Sequence, residues 1–344
     1  VAHGGFFVRI LALQLKRIGD LVLTTPALRM LRAAWPEAHL ALGVNAGCAP
    51  LLGAIAPINA ALVFGPGRGF APWQQVLTGP WDLCLDFTGN DRSALATALS
   101  RAKQRTTFAW LRRNRIRALG YRRFVDSSVR ERHTVDHYCD LSAAVIPSGA
   151  SPEPTAPELR LPVEAQDQAT ALLAAHGIDE HAFALLHPGT ARPEKFWLAE
   201  RWAQVAAELR ERHGLAAVLT GGSEAIELAH AAGIATAAPA GSANLAGKMD
   251  LLTLAALAER ARIVISCDTA MVHLAAAFRT PQIALFGPTN PFHWRPRHDR
   301  ALVLSAAQPD APLTDFQPRM KGAPMERIST AVVIRATESL LLSK

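Results

Sequence analysis

Residues 263–289 read IVISCDTAMVHLAAAFRTPQIALFGPT, and the order they suggest is strand, loop, helix, strand, loop. Ile263, Val264 and Ile265 form a short apolar run bounded by polar residues, the pattern of a buried parallel strand. Ser266, Cys267, Asp268 and Thr269 follow as a small polar loop. Residues 270–278 have a helical composition, with Asp268 or Thr269 as the N-cap. Pro281 stops that helix, and residues 282–286 are the next apolar strand. In an open α/β sheet, ligands bind beyond the carboxyl ends of the strands, where helix N-termini present unpaired N–H groups. Asp268, Thr269 and His273 stand at such a place. The loop suits a nucleotide ribose or phosphate; an ordinary strand–helix turn with a capping Asp accounts for the same residues equally well.

The chain before this stretch repeats the rhythm. A helix at 166–175 leads to a strand at 183–186 that ends in HPGT (187–190), then a loop at 191–195 and an amphipathic helix at 198–212. A strand at 216–219 ends in TGGSE (220–224), and another helix follows to residue 232. The loop LAGKM (245–249) precedes a helix at 251–260, and residues 325–342 make one more helix. Three successive strand ends thus present HPGT, TGGSE and SCDTA, each with small residues and hydroxyls near a helix start. Together they form an anion and nucleotide cradle, with Lys195 as a cation able to reach a diphosphate. No strand is followed by G-x-G-x-x-G, and there is no Walker P-loop, which argues against a nicotinamide dehydrogenase and a P-loop NTPase.

The first half opens with a strand at 8–15 that runs into Lys16-Arg17-Ile18-Gly19-Asp20, with a helical period over 21–34. Gly19 permits a tight turn, so Asp20 sits at a strand's carboxyl end. A helix cap explains an Asp there but not the whole string GDLVLTTPALRML. Strands follow at 39–44 and 61–64, with a short helix at 49–55. A fourth strand, WDLCLDF (81–87), exits through Thr88-Gly89-Asn90 into a helix at 92–102. Asp82 and Asp86 are four apart, at opposite ends of that strand, and do not make a metal-binding pair.

Residues 101–132 carry eleven Arg and Lys against Asp126 and Glu131, with Phe108, Trp110 and Tyr121 among them. Three readings stand: a solvated basic face, a surface for phosphorylated or carboxylated lipid headgroups, or a nucleic-acid surface. No helix-turn-helix, zinc or RNA-binding signature accompanies the charge, so nucleic acid is not expected as a partner. A helix at 133–145 closes the first half. The Pro- and Ser-rich PSGASPEPTAPELRLP (147–162) has linker composition, placing one domain over 1–155 and a second over 156–344.

The chain's 344 residues suffice for two ordinary domains. With 50% hydrophobic and 19% charged residues the composition is globular, and a formal charge of +7 favours anionic partners. Cys48, Cys84, Cys139 and Cys267 follow no metal spacing and read as buried thiols of a reducing compartment. No apolar run is long enough to span a bilayer. The opening VAHGGFFVRILALQL lacks the basic region of a signal peptide, so the expected location is the cytoplasm.

Six strings in this order, from Ile10 to about Ala336, resemble the glycosyltransferase family 9 heptosyltransferases of lipopolysaccharide synthesis. They are IGDLVLTTPALRMLRAAWP, WDLCLDFTGNDRSA, HPGTARPEKFW, TGGSEAIE, NLAGKMDLLTLAALAERA and CDTAMVHLAAAFRTPQIALFGPT. The resemblance implies an α/β protein of the GT-B fold, two Rossmann-like domains facing a cleft, acceptor on the N-terminal side and sugar nucleotide on the C-terminal side, the last helix crossing back to the first domain. It implies an inverting, metal-independent transfer with no cofactor, from ADP-heptose to an inner-core lipopolysaccharide sugar, at the inner face of the inner membrane. Asp20 matches the presumed catalytic base of the family. Thr190 and Lys195 match residues holding the donor diphosphate, and Asp268, Thr269 and His273 match the donor motif D-[ST]-[GA]-x-x-H. Glu224 resembles the acid that grips the adenosine ribose, and Met249 an adenine-side contact. Ala270 stands where many members have Gly, which leaves room for a related donor sugar. Two other readings remain: a transferase of the same fold using another sugar nucleotide for O-antigen or protein, and a non-catalytic nucleotide-sugar or lipid-binding protein. The presence of Asp20, Lys195 and Asp268 together disfavours the second.

Overall fold

The string GDLVLTTPALRML is helical almost from its first residue. The helix α1 (Ile18–Ala34) begins at the N-cap Arg17, so Gly19 and Asp20 lie inside its first turn and not in a turn before it. Residues 19–28 are all buried, which is why they lack a polar face. Pro26 sits within the helix and has no N–H to offer Val22; the Thr25 hydroxyl donates to the Val22 carbonyl instead, at 2.7 Å. A proline that would break an exposed helix is thus absorbed by its neighbour.

The computed structural model describes residues 8–147 and 156–342. The chain divides into two compact units, Val1–Arg160 and Leu161–Lys344. Of the stretch read as a linker, residues 148–155 lie outside the described residues. The described part that follows is tied to the first unit: Glu158 pairs with Arg29, its N–H donates to Thr25 Oγ1 at 3.1 Å, and Arg160 N–H donates to the Ala54 carbonyl at 2.9 Å.

In the first unit, β1 (Arg9–Gln14) and α1 are followed by β2 (His39–Asn45), β3 (Ala60–Phe64), α2 (Ala71–Thr78), β4 (Leu83–Asp86) and α3 (Asp91–Leu99). Then come β5 (Gln104–Phe108), α4 (Arg115–Ala118), β6 (Arg123–Val125) and α5 (Thr134–Ala143). The region expected as a short helix at 49–55 is a 3₁₀ segment, Ala46–Ala54. The strands form one sheet in the order β3-β2-β1-β4-β5-β6, every neighbour parallel. Its apolar core includes Leu11, Leu13, Leu62, Phe64, Trp81 and Cys84.

The second unit runs α6 (Val163–Ala175), β7 (Phe183–His187), α7 (Ala199–His213), β8 (Ala216–Leu219), α8 (Ala225–Ala237), β9 (Ala243–Asn244) and α9 (Leu251–Arg260). It continues with β10 (Ile263–Cys267), α10 (Ala270–Ala277), β11 (Gln282–Phe286), β12 (Ala301–Ser305) and α11 (Thr330–Leu342). Its sheet order is β12-β11-β10-β7-β8-β9, again parallel throughout. Strands β7, β8, β10 and β11 are buried along their whole length, as a sheet covered on both faces requires. The last helix, which the resemblance sends back to the first domain, buries Val332, Val333, Ala336 and Leu340 in the core of the second unit, against α7 and β11.

Counting strands within each unit, both sheets have the order 3-2-1-4-5-6. In this doubly wound topology the order reverses beside the first strand, and the loops leaving that point splay apart to leave a crevice. The reversal lies between β1 and β4 in the first unit and between β7 and β10 in the second. Among the described residues no helix is long and apolar enough to cross a membrane.

Candidate functional site

The second unit places HPGT and CDT at its reversal point, because β7 and β10 are neighbours with Ser266 opposite His187. Thr269 is the N-cap of α10, its Oγ1 accepting the Met271 N–H at 3.3 Å. Asp268 precedes the cap and is buried. Lys195 ends a short 3₁₀ turn, Pro193–Lys195, and reaches across to donate to Asp268 Oδ2 at 2.5 Å and to the Asp268 carbonyl at 3.1 Å. The two side chains keep only 11% and 9% of their exposure. This ion pair joins the two loops that flank the reversal point. Thr190 lies on the same loop as Lys195; it is buried, and its Oγ1 accepts the Arg192 N–H at 3.2 Å. His273 is buried on α10, one turn beyond Thr269.

Glu224 and Met249 stand at the next strand ends. Glu224 is the exposed N-cap residue of α8, and its side chain makes no cap bond. Met249 is half-buried in the loop after β9. That loop is tied to TGGSE by the Gly247 N–H, which donates to the Gly221 carbonyl at 3.1 Å. His187 is held in the neutral form, its pKa lowered to about 4 by burial, with Nδ1 2.9 Å from Thr220 Oγ1.

One carboxylate here went unread in the sequence. Glu227, one turn into α8, is buried and accepts the Gly222 N–H at 3.3 Å. It fills the space beneath two glycines: a Cβ on Gly189 would lie 2.8 Å from Glu227 Oε1 and 2.6 Å from the Gly221 Cα, and one on Gly222 would collide with Glu227 Oε2. The signal available in the sequence is the double glycine followed by an acid at helical spacing.

In the first unit, Asp20 stands at the reversal between β1 and β4. It is not the cap of α1; that place belongs to Arg17. Its Oδ1 accepts the Tyr138 hydroxyl at 2.6 Å. Tyr138, on α5, is buried and packs edge-on against Phe87 with centroids 5.8 Å apart. Burial, then the Asp20 charge, raise its pKa well above the usual phenol value, so it stays a donor. Lys16 Nζ lies 3.3 Å from the same phenol oxygen. The loop carrying Lys16 is clamped on both sides: Leu15 N–H donates to Thr88 Oγ1 at 2.7 Å, and Asn45 Nδ2 donates to the Leu15 and Lys16 carbonyls. Cys48 lies close by, its thiol pushed up to about 11 by burial and then by Asp20.

The two aspartates of WDLCLDF have separate structural duties. Asp82 takes the Arg9 N–H and the Lys103 ammonium. Asp86 is fully buried, where it accepts the Thr88 and Gly89 N–H groups and the Tyr121 hydroxyl. Among the described residues no group of three or more His, Cys, Asp or Glu has a metal-holding arrangement. The four cysteines are free and buried.

The family model described as "Glycosyltransferase family 9 (heptosyltransferase)" matches residues 70–323, more than half of the chain. The chain belongs to glycosyltransferase family 9. Among curated members of that family, lipopolysaccharide heptosyltransferase 3 of Escherichia coli K12 is 27% identical over 334 residues, covering 94% of this chain and 95% of that protein. Among solved structures, the glycosyl transferase family 9 protein from Veillonella parvula DSM 2008 superposes with a TM-score of 0.84 at 24% identity, covering all of both chains. The Escherichia coli ADP-heptose lps heptosyltransferase II does so with 0.79 at 21% identity, over 97% of this chain and 99% of that one. With two doubly wound parallel units and these neighbours, the chain is a family 9 glycosyltransferase of the GT-B fold. The matched span contains every candidate residue of the second unit; Asp20 precedes it.

Proposed function

We propose that the chain is an inverting, metal-independent transferase that moves heptose from ADP-heptose to an inner-core sugar of lipopolysaccharide. The observation that carries this reading is the Lys195–Asp268 pair beside the capped N-terminus of α10, at the reversal point of the second unit. A buried cation beside the N-terminus of a helix suits a diphosphate leaving group. The Escherichia coli neighbour, an ADP-heptose lps heptosyltransferase, supports the choice of sugar and nucleotide.

In this reading Asp20 accepts the proton of the acceptor hydroxyl as its oxygen bonds to the anomeric carbon, since a sugar hydroxyl is a weak nucleophile near neutrality. The bond from that carbon to the diphosphate breaks, and its electron pair leaves with ADP. Lys195 and the amides of the α10 N-terminus stabilise the growing phosphate charge without a metal. Thr190 orders the Lys195 loop, while Asp268 holds the ammonium in place. Thr269 and His273 line the diphosphate side, and Glu224 and Met249 the ribose and adenine sides. The carboxylate Asp20, on the first unit, acts on the acceptor. The enzyme works in the cytoplasm, where an anionic lipid precursor is presented at the membrane face, and the basic stretch 101–132 attaches it peripherally to that face.

Titrating the protein with ADP-heptose, ADP-glucose and UDP-glucose under a thermal-shift assay tests the donor. At about a hundred-fold over Kd the right donor should raise Tm by roughly 5–10 °C; a larger shift with a different sugar nucleotide would reassign it, and Ala270 would then mark where the sugar differs. Activity should survive excess EDTA. A strict requirement for Mg²⁺ or Mn²⁺ would overturn the metal-independent mechanism.

A further inference from the structure

The basic stretch is not a uniformly solvated face. Its segment 110–119 is built rigidly and displays apolar side chains outward. Asn114 caps α4, accepting the Arg117 N–H at 3.1 Å. Arg117 ties the helix to the start of α3 through Asp91 Oδ1 at 2.6 Å and to the turn after β4 through the Gly89 carbonyl at 3.2 Å. Leu111 is fully buried against Ala94 and Tyr121. Arg105 donates to the Gly120 carbonyl at 2.7 Å, holding the far end. On this fixed frame Ile116 and Leu119 are each 83% exposed, and Trp110 is 44% exposed. Ile116 and Leu119 are three apart with helical backbone through Leu119, so they share a face. Arg112, Arg113 and Arg115 are exposed beside them.

Large apolar side chains left in water by an ordered helix forgo the stabilisation that burial would give, and a partner that covers them recovers it. The exposed guanidinium groups of the same segment make a water-excluding protein contact poor unless the partner is anionic. The chemistry that satisfies both at once is a lipid interface: acyl chains for the apolar pair, phosphates for the arginines. The position agrees. The turn Gly89–Asn90 and the first residue of α3, Asp91, which anchor α4, follow β4, whose Asp86 lies opposite Leu13 of β1. The patch therefore stands at the carboxyl edge of the same sheet as Asp20.

We propose that segment 110–119 is a membrane anchor, in which Ile116 and Leu119 insert into an anionic lipid interface and Arg112, Arg113 and Arg115 pair with its phosphates. This rests on the reading that the acceptor is lipid-borne, and it adds insertion to attraction by charge. The anchor presents the acceptor edge of the first unit to the layer from which the acceptor sugar projects.

The test uses the whole protein with vesicles of phosphatidylcholine alone or mixed with phosphatidylglycerol, followed by co-sedimentation at low and high salt. Wild type should bind the mixed vesicles, and part of that binding should resist salt, because insertion is not screened. Ile116→Ser/Leu119→Ser should weaken binding at least about tenfold and remove the salt-resistant part. Its turnover on a short, lipid-free acceptor sugar should stay at the wild-type level, while turnover on a vesicle-embedded acceptor falls. Arg113→Gln/Arg115→Gln should instead erase the preference for phosphatidylglycerol. If the serine variant binds as wild type does and salt releases both, insertion is refuted and only charge-based attachment stands. If wild type ignores both vesicles, attachment itself is refuted. Wild-type dimers that the serine variant abolishes would assign the patch to a second copy of the chain and overturn the proposal.

Discussion

Asp20→Asn should fold, bind the donor with unchanged affinity, and turn over roughly 10²–10⁴-fold more slowly than wild type. The structure sharpens this expectation by removing the competing duty. Asp20 is inside the first turn of α1 and caps nothing. What it does locally is accept the Tyr138 hydroxyl, and an Asn side chain can accept that bond through its own Oδ1. Losing a carboxylate from a helix's first turn costs about 0.3–1 kcal/mol, too little to unfold a unit with so large a core. Turnover and stability should therefore separate cleanly. Measuring kcat on the true acceptor beside a melting curve decides the matter: an Asn variant with near-normal kcat ends the general-base role.

Lys195→Ala should lower turnover by about 10²–10³-fold, the scale for deleting one preorganised group that faces developing charge. It should also destabilise the protein, because Asp268 would be left buried without its cation; breaking a buried pair costs roughly 3–5 kcal/mol, or a Tm lower by roughly 10 °C in a unit of this size. The two effects can be pulled apart. Lys195→Ala/Asp268→Asn removes both charges, so Tm should recover most of the loss while turnover stays low. A single variant with wild-type kcat/KM would make Lys195 a purely structural partner of Asp268. A double variant that regains turnover would show that the single change acted through instability alone.

The centre of each sheet was legible because buried parallel strands must be apolar and must end in small polar loops. β1, β4, β7, β8, β10 and β11 all announced themselves that way, and the segments leaving β1, β7, β8, β9 and β10 carried the candidate residues. Of the edge strands only β3 (Ala60–Phe64) was legible, at 61–64; β6, β9 and β12 were not, nor was β5 beside β6. β5 (QRTTF) and β6 (RFV) lie in the most basic part of the chain and looked like surface. β6 is the edge strand, paired on one side only, and polar or charged residues there guard the open side; β5 is paired on both sides, to β4 and β6, but its Gln, Arg and Thr residues give it no apolar run to read. β9 is two residues long, and β12 lies in a Pro- and Arg-rich region with no periodicity to read. The helix α2 opens on Ala71 and Pro72 and is too short to show a period. α1 was placed three residues late because Gly19 suggested a turn. Within the site, direct contact joins Lys195 to Asp268, 73 positions apart. Tyr138 lies 118 positions from Asp20, and no local pattern marks a partner brought in by a distant helix.

The packing of Glu227 under Gly189 and Gly222 bears on any attempt to retarget the enzyme to another sugar nucleotide by random mutagenesis. Codon libraries across HPGT and TGGSE would be dominated by inactive clones at those two glycines, since every side chain meets the same buried carboxylate, and at Gly189 the Gly221 Cα as well, before it meets a ligand. Diversity is better spent at the rim, on Ser223 and Glu224, which are exposed, and on Ala270 at the first turn of α10. A productive change at Gly222 would have to arrive together with a shorter residue at 227, a paired event that single-site walks do not sample; at Gly189 even that would leave the clash with the Gly221 Cα.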